Sequence, residues 1–145
     1  MISPVVLVVE DSDEDYEVLK RAFKKAEFNA DIKRCPDGQD AFNHLTVICL
    51  EEKLADIPSL ILLDINMPKM NGKELLQTIK SHHKLKSIPV VIITSSTNQN
   101  EVNECYGNGA NAYLTKMHQF NDFLESMKSL KQFWLETATL PTVAN

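Results

Sequence analysis

Three uninterrupted runs of apolar residues stand out along this chain. They cover residues 5–9, 60–63 and 90–93, and none of them contains a polar position. A run of this kind is typical of a strand that is covered on both faces, as in a parallel sheet. Residues 30–35 alternate between apolar and polar side chains, which predicts a half-exposed edge strand. Residues 112–114 predict a very short fifth strand.

Apolar residues at helical spacing follow the predicted strands. The segment 97–110 is mostly polar, and we expect it to hold one short helix that ends near Gly107 or Gly109. The other predicted core faces are Tyr16, Leu19, Phe23 and Ala26; Ala41, Phe42, Leu45, Ile48 and Cys49; Leu75, Leu76 and Ile79; and Phe120, Phe123, Leu124, Met127, Leu130 and Trp134. Five alternations of strand and helix, without a repeat or a linker, predict one α/β domain with a parallel sheet. We assign residues 1–137 to this domain and expect a loosely ordered tail over 138–145.

Composition excludes several classes of protein. The chain has 145 residues, of which 43% are apolar, so a folded core is expected rather than disorder. The net charge of −5 and the lack of a dense basic run argue against nucleic-acid binding. No apolar segment reaches 18 residues, so no membrane span is expected. Three cysteines without CxxC spacing predict free thiols, and we expect a soluble, cytoplasmic protein.

Asp64 ends the central apolar run. Pro68 and the pair Asn71-Gly72 follow it, and they prevent the strand from simply continuing. The carboxylate is therefore predicted at the carboxyl end of a buried strand, where open α/β sheets usually bind ligands. Taken alone, the stretch is equally consistent with an aspartate that only starts a turn.

Other polar side chains follow the remaining predicted strands. Glu10 and Asp11 end the first strand, Thr94 the fourth and Lys116 the fifth. Because the carboxyl ends of parallel strands share one edge of the sheet, these side chains are expected to meet Asp64. Each pair of carboxylates at about 4 Å would repel by about 4 kcal/mol near a protein surface. A Mg²⁺ ion, which prefers oxygen ligands, and the ammonium of Lys116 would offset that repulsion. A carboxylate beside a cation, an amine and a hydroxyl is suited to phosphoryl transfer, with the carboxylate as nucleophile.

This set of residues resembles the receiver domain of two-component response regulators. The resemblance rests on Glu10-Asp11, on Asp64 with the following MPKMNG, on Thr94-Ser95 and on the string YLTK at 113–116, and it covers about residues 5–130. It implies a doubly wound, flavodoxin-like sheet with five strands in the order 2-1-3-4-5 and five helices.

The resemblance also implies roles for individual residues. Asp64 would accept phosphate from a histidine kinase, while Thr94 and Lys116 would contact the phosphoryl group. Asp11, Asp64 and the backbone carbonyl of Asn66 would bind Mg²⁺, with Glu10 close by. The receiver would catalyse only its own phosphorylation and dephosphorylation, so we do not expect a multiple-turnover enzyme.

A conformational switch is implied at Thr94 and Tyr113. On phosphorylation Thr94 would move toward the phosphate, and Tyr113 would turn inward into the space that Thr94 leaves. This movement would alter the face formed by the fourth helix, fifth strand and fifth helix. The alternative for Tyr113 is an ordinary exposed aromatic residue on an edge strand.

The end of the chain resembles one particular group of receivers. The segment QFWLETATLP at 132–141 looks like the regulators that pair with cyanobacterial phytochromes, the Rcp type. Lys116 is followed by Met117, where many receivers have proline. The Rcp resemblance implies a phytochrome histidine kinase as partner and a homodimer in which Phe133, Trp134 and Leu135 take part, with the tail as a further candidate. The alternative is that Trp134 closes the core of its own subunit.

Two other classes of function stay open. Aspartate-based phosphatases similar to the haloacid dehalogenase family need a second acid two residues after the nucleophile, and this chain has Asn66 there. A binding module is the other possibility, either a degenerate receiver or a flavodoxin-like cofactor binder. Flavodoxin-type loops carry phosphate nests after the first strand, whereas this chain has acids at that point.

Overall fold

A computed structural model describes residues 3–142 of the chain. Five parallel strands form one sheet in the order β2-β1-β3-β4-β5. The strands are β1 (Val5–Val9), β2 (Asp31–Cys35), β3 (Leu60–Leu63), β4 (Val90–Thr94) and β5 (Ala112–Thr115), and the helices are α1 (Asp13–Lys25), α2 (Gly38–Leu50), α3 (Gly72–Ser81), α4 (Gln99–Gly107) and α5 (Phe120–Lys131). The predicted doubly wound, flavodoxin-like fold is confirmed, with each helix following its strand.

Both faces of the sheet are buried, which explains the uninterrupted apolar runs. On one face Leu7, Ile61 and Ile92 pack with the buried residues of α2 and α3. On the other face Val8 and Leu62 pack with α1 and α5. Successive residues of a strand point to opposite faces, so a central strand with two covered faces needs an apolar residue at every position.

The two outer strands are less buried than the three central ones. In β2, Asp31 and Lys33 are exposed, whereas Ile32 is half-buried, as its alternating sequence predicted. All four residues of β5 are half-buried. The central strands β1, β3 and β4 are therefore the most buried part of the sheet, and Glu10, Asp64 and Thr94 lie at their carboxyl ends.

Polar side chains cap the helices that start at the carboxyl edge of the sheet. The side chains of Ser12, Asp37, Asn71 and Asn98 each accept a backbone N–H from the first turn of α1, α2, α3 and α4. A cap of this kind stabilises a helix by about 1 kcal/mol. The sequence after each of these strands thus fixes both the turn and the helix start at one rim.

The sequence predicted a last helix that includes Trp134, but the regular α-helix ends at Lys131. After α5 the chain widens into a π-helical segment, Gln132–Thr137, which is closed by a bond from the Ala138 N–H to the Phe133 carbonyl. Thr137 is therefore helical. Residues 138–142 of the predicted tail have no helix or strand, and residues 143–145 lie outside the described residues, as do residues 1–2 of the predicted domain. No helix within 3–142 is long and apolar enough to cross a bilayer.

Candidate functional site

Three carboxylates meet at the carboxyl edge of the sheet. Glu10 and Asp11 directly follow β1, and Asp64 directly follows β3. Because β1 and β3 are neighbours with Val9 paired to Leu63, the residues after them are brought side by side. One oxygen from each of the three carboxylates lies within 4.8 Å of the others. Glu10 and Asp64 are buried, whereas Asp11 is exposed at the rim.

The loop after Asp64 folds back tightly against it. The Gly72 N–H donates to the carbonyl of Ile65 at 3.2 Å, and a Cβ at Gly72 would collide with the backbone carbonyl of Asp64. Asn71 caps α3 from the preceding position. The sequence Asn71-Gly72 is thus required by the close return of the chain, which holds the Asp64 backbone in place.

The two oxygens of Asp64 have different partners. Oδ1 accepts the backbone N–H of Asn66 at 3.1 Å, and Oδ2 accepts the Lys116 ammonium at 2.9 Å. These two bonds hold the Asp64 carboxylate in one orientation at the rim of the sheet, as a nucleophile requires.

Lys116 reaches across β4 to the acidic cluster. Its Nζ lies 2.6 Å from Glu10 Oε1, 2.7 Å from Asp15 Oδ2 and 2.9 Å from Asp64 Oδ2. Burial opposes its charge, but the hydrogen bonds that it donates to these carboxylates outweigh that effect, so the pKa of Lys116 is raised above its ordinary value. The amine is a permanent cation at neutral pH.

The cation does not fully balance the acids. Burial raises the pKa of Glu10 to about 7, and repulsion from Asp64 adds to it, although the Lys116 hydrogen bond and the Ser12 N–H oppose the rise. Burial is thus the main reason that Glu10 resists ionisation, and a cation bound beside it would favour its charged form. The all-oxygen set of Glu10, Asp11 and Asp64 fits a divalent metal ion.

Thr94 and Asn66 complete the rim. Thr94 is fully buried at the end of β4, and its Oγ1 accepts the Asn66 Nδ2 and the Ser96 N–H, each at 3.5 Å. These are long contacts that hold a hydroxyl only weakly. Asn66 is exposed above Thr94, and it bonds to Asp64 through its backbone N–H and to Thr94 through its side chain, so it links the ends of β3 and β4.

Tyr113 is not an ordinary exposed aromatic residue. Its ring is half-buried and packs against the core on the α2 and α3 side of the sheet. Its hydroxyl donates to the carbonyl of Ser96 at 2.9 Å, and burial of the ring raises the pKa of the phenol. Tyr113 thus ties β5 to the loop that leads from Thr94 into α4.

Sequence reasoning missed Asp15 and Arg34. The Asp15 carboxylate lies in the first turn of α1 and contacts Lys116, while the Arg34 Nε donates to the Glu10 carbonyl at 3.0 Å and its Nη1 to Asp13 at 2.7 Å. The only signal for Asp15 was its place in the first turn of a helix that starts at this edge, which does not show which way its side chain points; Arg34 lies in β2 and left no signal.

The three residues predicted for a dimer interface differ in exposure. Phe133 is 53% exposed, whereas Trp134 and Leu135 are partly buried against the core of their own chain. Phe133 and Trp134 pack edge to face with ring centroids 5.0 Å apart. They line a groove of about 600 Å³ with Leu114 of β5 and Leu130 of α5.

The sequence of this chain is similar to those of known receiver proteins. Residues 6–128 fit the sequence profile of the response regulator receiver domain. Response regulator Rcp1 of Synechocystis sp. is 38% identical over 137 residues, which are 94% of this chain and 92% of that protein.

Two solved structures share the fold over nearly the whole chain. The phosphorylated cyanobacterial phytochrome response regulator RcpA is 34% identical, with a TM-score of 0.86 over 96% of this chain and 99% of that one. The Mn²⁺-bound form of response regulator Rcp1 is 37% identical, with a TM-score of 0.83 over 95% of this chain and 99% of that one.

Proposed function

The chain belongs to the response regulator receiver domain family, and we propose that it accepts a phosphoryl group on Asp64 from a histidine kinase. The observation that supports this most strongly is the oriented Asp64 carboxylate, with Lys116 on one oxygen and two further carboxylates within 4.8 Å. The sequence resemblance to the Rcp-type phytochrome response regulators is confirmed by the same comparisons.

The proposed reaction is a transfer between two side chains. An Asp64 oxygen attacks the phosphorus of a phosphohistidine, the P–N bond breaks, and the released imidazole nitrogen takes up a proton from water. Lys116 donates to a phosphoryl oxygen and neutralises part of its charge. The weakly held Thr94 hydroxyl turns from its long contacts to donate to another phosphoryl oxygen.

The proposed metal is Mg²⁺. Asp11 and Asp64 would hold it together with the Asn66 backbone carbonyl, with Glu10 beside them. When bound, the ion supplies positive charge to the phosphoryl oxygens and offsets repulsion among the carboxylates. The Mn²⁺-bound form of Rcp1 supports a divalent ion in this family.

The proposed output is a change at the face formed by α4, β5 and α5. Movement of Thr94 toward the phosphoryl group would displace the loop at Ser96, to which Tyr113 is bonded. A shift of that loop would be carried directly to β5 and to the start of α4. The hydrogen bond between Tyr113 and Ser96 therefore supports Thr94 and Tyr113 as the two residues that move in the switch.

The proposed partners are a phytochrome histidine kinase and a second copy of this chain. Similarity to Rcp1 and RcpA supports the kinase, because RcpA is a cyanobacterial phytochrome response regulator. The half-exposed Phe133 ring beside the groove at β5 and α5 supports a homodimer on that face. A multiple-turnover phosphatase is not favoured, since Asn66 stands where such enzymes carry a second acid.

A direct test is to incubate the protein with acetyl phosphate and Mg²⁺ and to weigh the intact chain. We expect one added phosphoryl group on the wild type and none on Asp64→Asn. The matched control is Asp37→Asn, because Asp37 is a buried carboxylate at the same edge that caps α2, and asparagine caps equally well. Phosphate that survives in Asp64→Asn, or none on the wild type, would contradict the proposal.

The kinase is tested by phosphotransfer from a set of purified histidine kinases that includes a phytochrome kinase. We expect the phytochrome kinase to transfer its phosphoryl group to the wild type faster than the others. Equal or slower transfer would contradict the phytochrome pairing and leave Asp64 as the acceptor.

A further inference from the structure

Three carboxylates surround the Lys116 ammonium, and two of them, Asp15 and Asp64, accept hydrogen bonds from it. A lysine ammonium carries three N–H groups, and three carboxylate oxygens lie within 2.6–2.9 Å of Nζ. Glu10 and Asp64 belong to the acidic cluster, but Asp15 lies outside it, on α1. A phosphoryl oxygen that arrives at this site therefore competes with these carboxylates for the Lys116 ammonium.

The three partners differ in what their release would cost. The side chain of Glu10 is 2% exposed and that of Asp64 is 8% exposed, whereas that of Asp15 is 46% exposed. A buried Glu10 carboxylate that loses its cation is left without compensation, which is strongly unfavourable, and Asp64 stays beside Lys116 because the phosphoryl group is attached to it. Released Asp15 is instead hydrated by bulk water. Asp15 is thus the partner that Lys116 gives up most easily.

We propose that Asp15 is a positioning residue that competes with the phosphoryl group for Lys116. In the unmodified protein Asp15 accepts one N–H of the ammonium, and in the phosphorylated protein that N–H passes to a phosphoryl oxygen. This inference rests on the proposed role of Asp64 as phosphoryl acceptor. The competition lowers the affinity of the unmodified site for a phosphoryl group.

The charge of Asp15 acts in the same direction as its hydrogen bond. The phosphoryl group is an anion, and the Asp15 carboxylate lies 2.7 Å from the amine that is to bind it. Removing only the charge of Asp15 should therefore free the amine. The gain is expected to be about fivefold, the upper value for a half-exposed ion pair.

The test measures binding of beryllium fluoride, which mimics a phosphoryl group on aspartate, at saturating Mg²⁺ by fluorine NMR. The variant is Asp15→Asn, and the control is Glu14→Gln. Glu14 is an exposed acid in the same helical turn, so its substitution removes the same charge without touching Lys116. Asp15→Glu tests rescue, since it restores a carboxylate at the same position.

We expect Asp15→Asn to bind beryllium fluoride about fivefold more tightly, with Glu14→Gln and Asp15→Glu close to the wild type. A merely structural role for Asp15 would weaken binding rather than tighten it. Unchanged or weaker binding by Asp15→Asn, or an equal gain in Glu14→Gln, overturns the role of Asp15 while wild-type binding still supports Asp64 as acceptor. No binding by the wild type overturns both.

Discussion

Replacing Glu10 by glutamine tests the electrostatic account of the site. The pKa of Glu10 is raised from 4.5 to about 7, with burial as the main cause. The folded state therefore binds the Glu10 proton more tightly than the unfolded state does. Stability from this group is present below pH 4.5 and is lost as the pH rises toward 7.

The size of the effect follows from the two pKa values. At about 1.4 kcal/mol per pH unit, the ionised Glu10 side chain costs the fold about 3 kcal/mol at pH 8 and below about 1 kcal/mol at pH 5. Glutamine keeps an acceptor oxygen for Lys116 but carries no charge. Without metal, Glu10→Gln should thus raise the free energy of unfolding by about 1–3 kcal/mol at pH 8, and much less at pH 5.

The assay is urea unfolding at both pH values in the presence of a chelator, with Glu14→Gln as the exposed control, which should stay within about 0.5 kcal/mol of the wild type. Added Mg²⁺ should stabilise the wild type more than Glu10→Gln. An equal gain at pH 5 and pH 8 would refute titration of Glu10. A loss of stability at pH 8 would show that the Lys116 ion pair outweighs the cost of burial.

Three further substitutions test the loop, the dimer face and the switch. Gly72→Ala should destabilise the fold by about 1–3 kcal/mol in urea unfolding, because its Cβ meets the Asp64 backbone, whereas Gly107→Ala, where nothing lies within 4 Å, should not. Phe133→Ser should lower the molar mass of the protein in solution, measured by light scattering, from that of a dimer toward that of a monomer. Leu50→Ser, at a more exposed site on α2, should not, and equal molar masses for the two variants would refute the proposed face. Tyr113→Phe removes a hydroxyl that is not at the acceptor, so it should keep phosphorylation by acetyl phosphate but lose part of the shift in α4 amide resonances. Unchanged α4 shifts would contradict the switch.

The fold was predictable because its determinants are local patterns. Each central strand is buried on both faces, so every residue from Leu60 to Leu63 must be apolar, and this leaves an unambiguous signal. Placement of Glu10, Asp11, Asp64, Thr94 and Lys116 at one edge of the sheet then follows from parallel strands alone. The strand order came from the family resemblance, since periodicity does not determine which strands are neighbours.

The details that the sequence did not predict depend on side-chain conformation or on local backbone hydrogen bonding. Asp15 was not singled out, because nothing in the sequence pattern shows that a lysine 101 residues later extends to it. The inward packing of Tyr113 depends on its rotamer and on the Ser96 carbonyl. The widened helix after Lys131 reflects a change of backbone hydrogen bonding that apolar spacing does not encode.

The measurement that most directly tests the account is the identity of the phosphorylated residue. Borohydride reduces an aspartyl phosphate to homoserine, and peptide mass spectrometry then locates the altered position. After phosphorylation in the presence of Mg²⁺, we expect homoserine at position 64 and unaltered aspartate at positions 11 and 15. Homoserine at either of those positions, or none at 64, would contradict the claim that this oriented carboxylate is the phosphoryl acceptor.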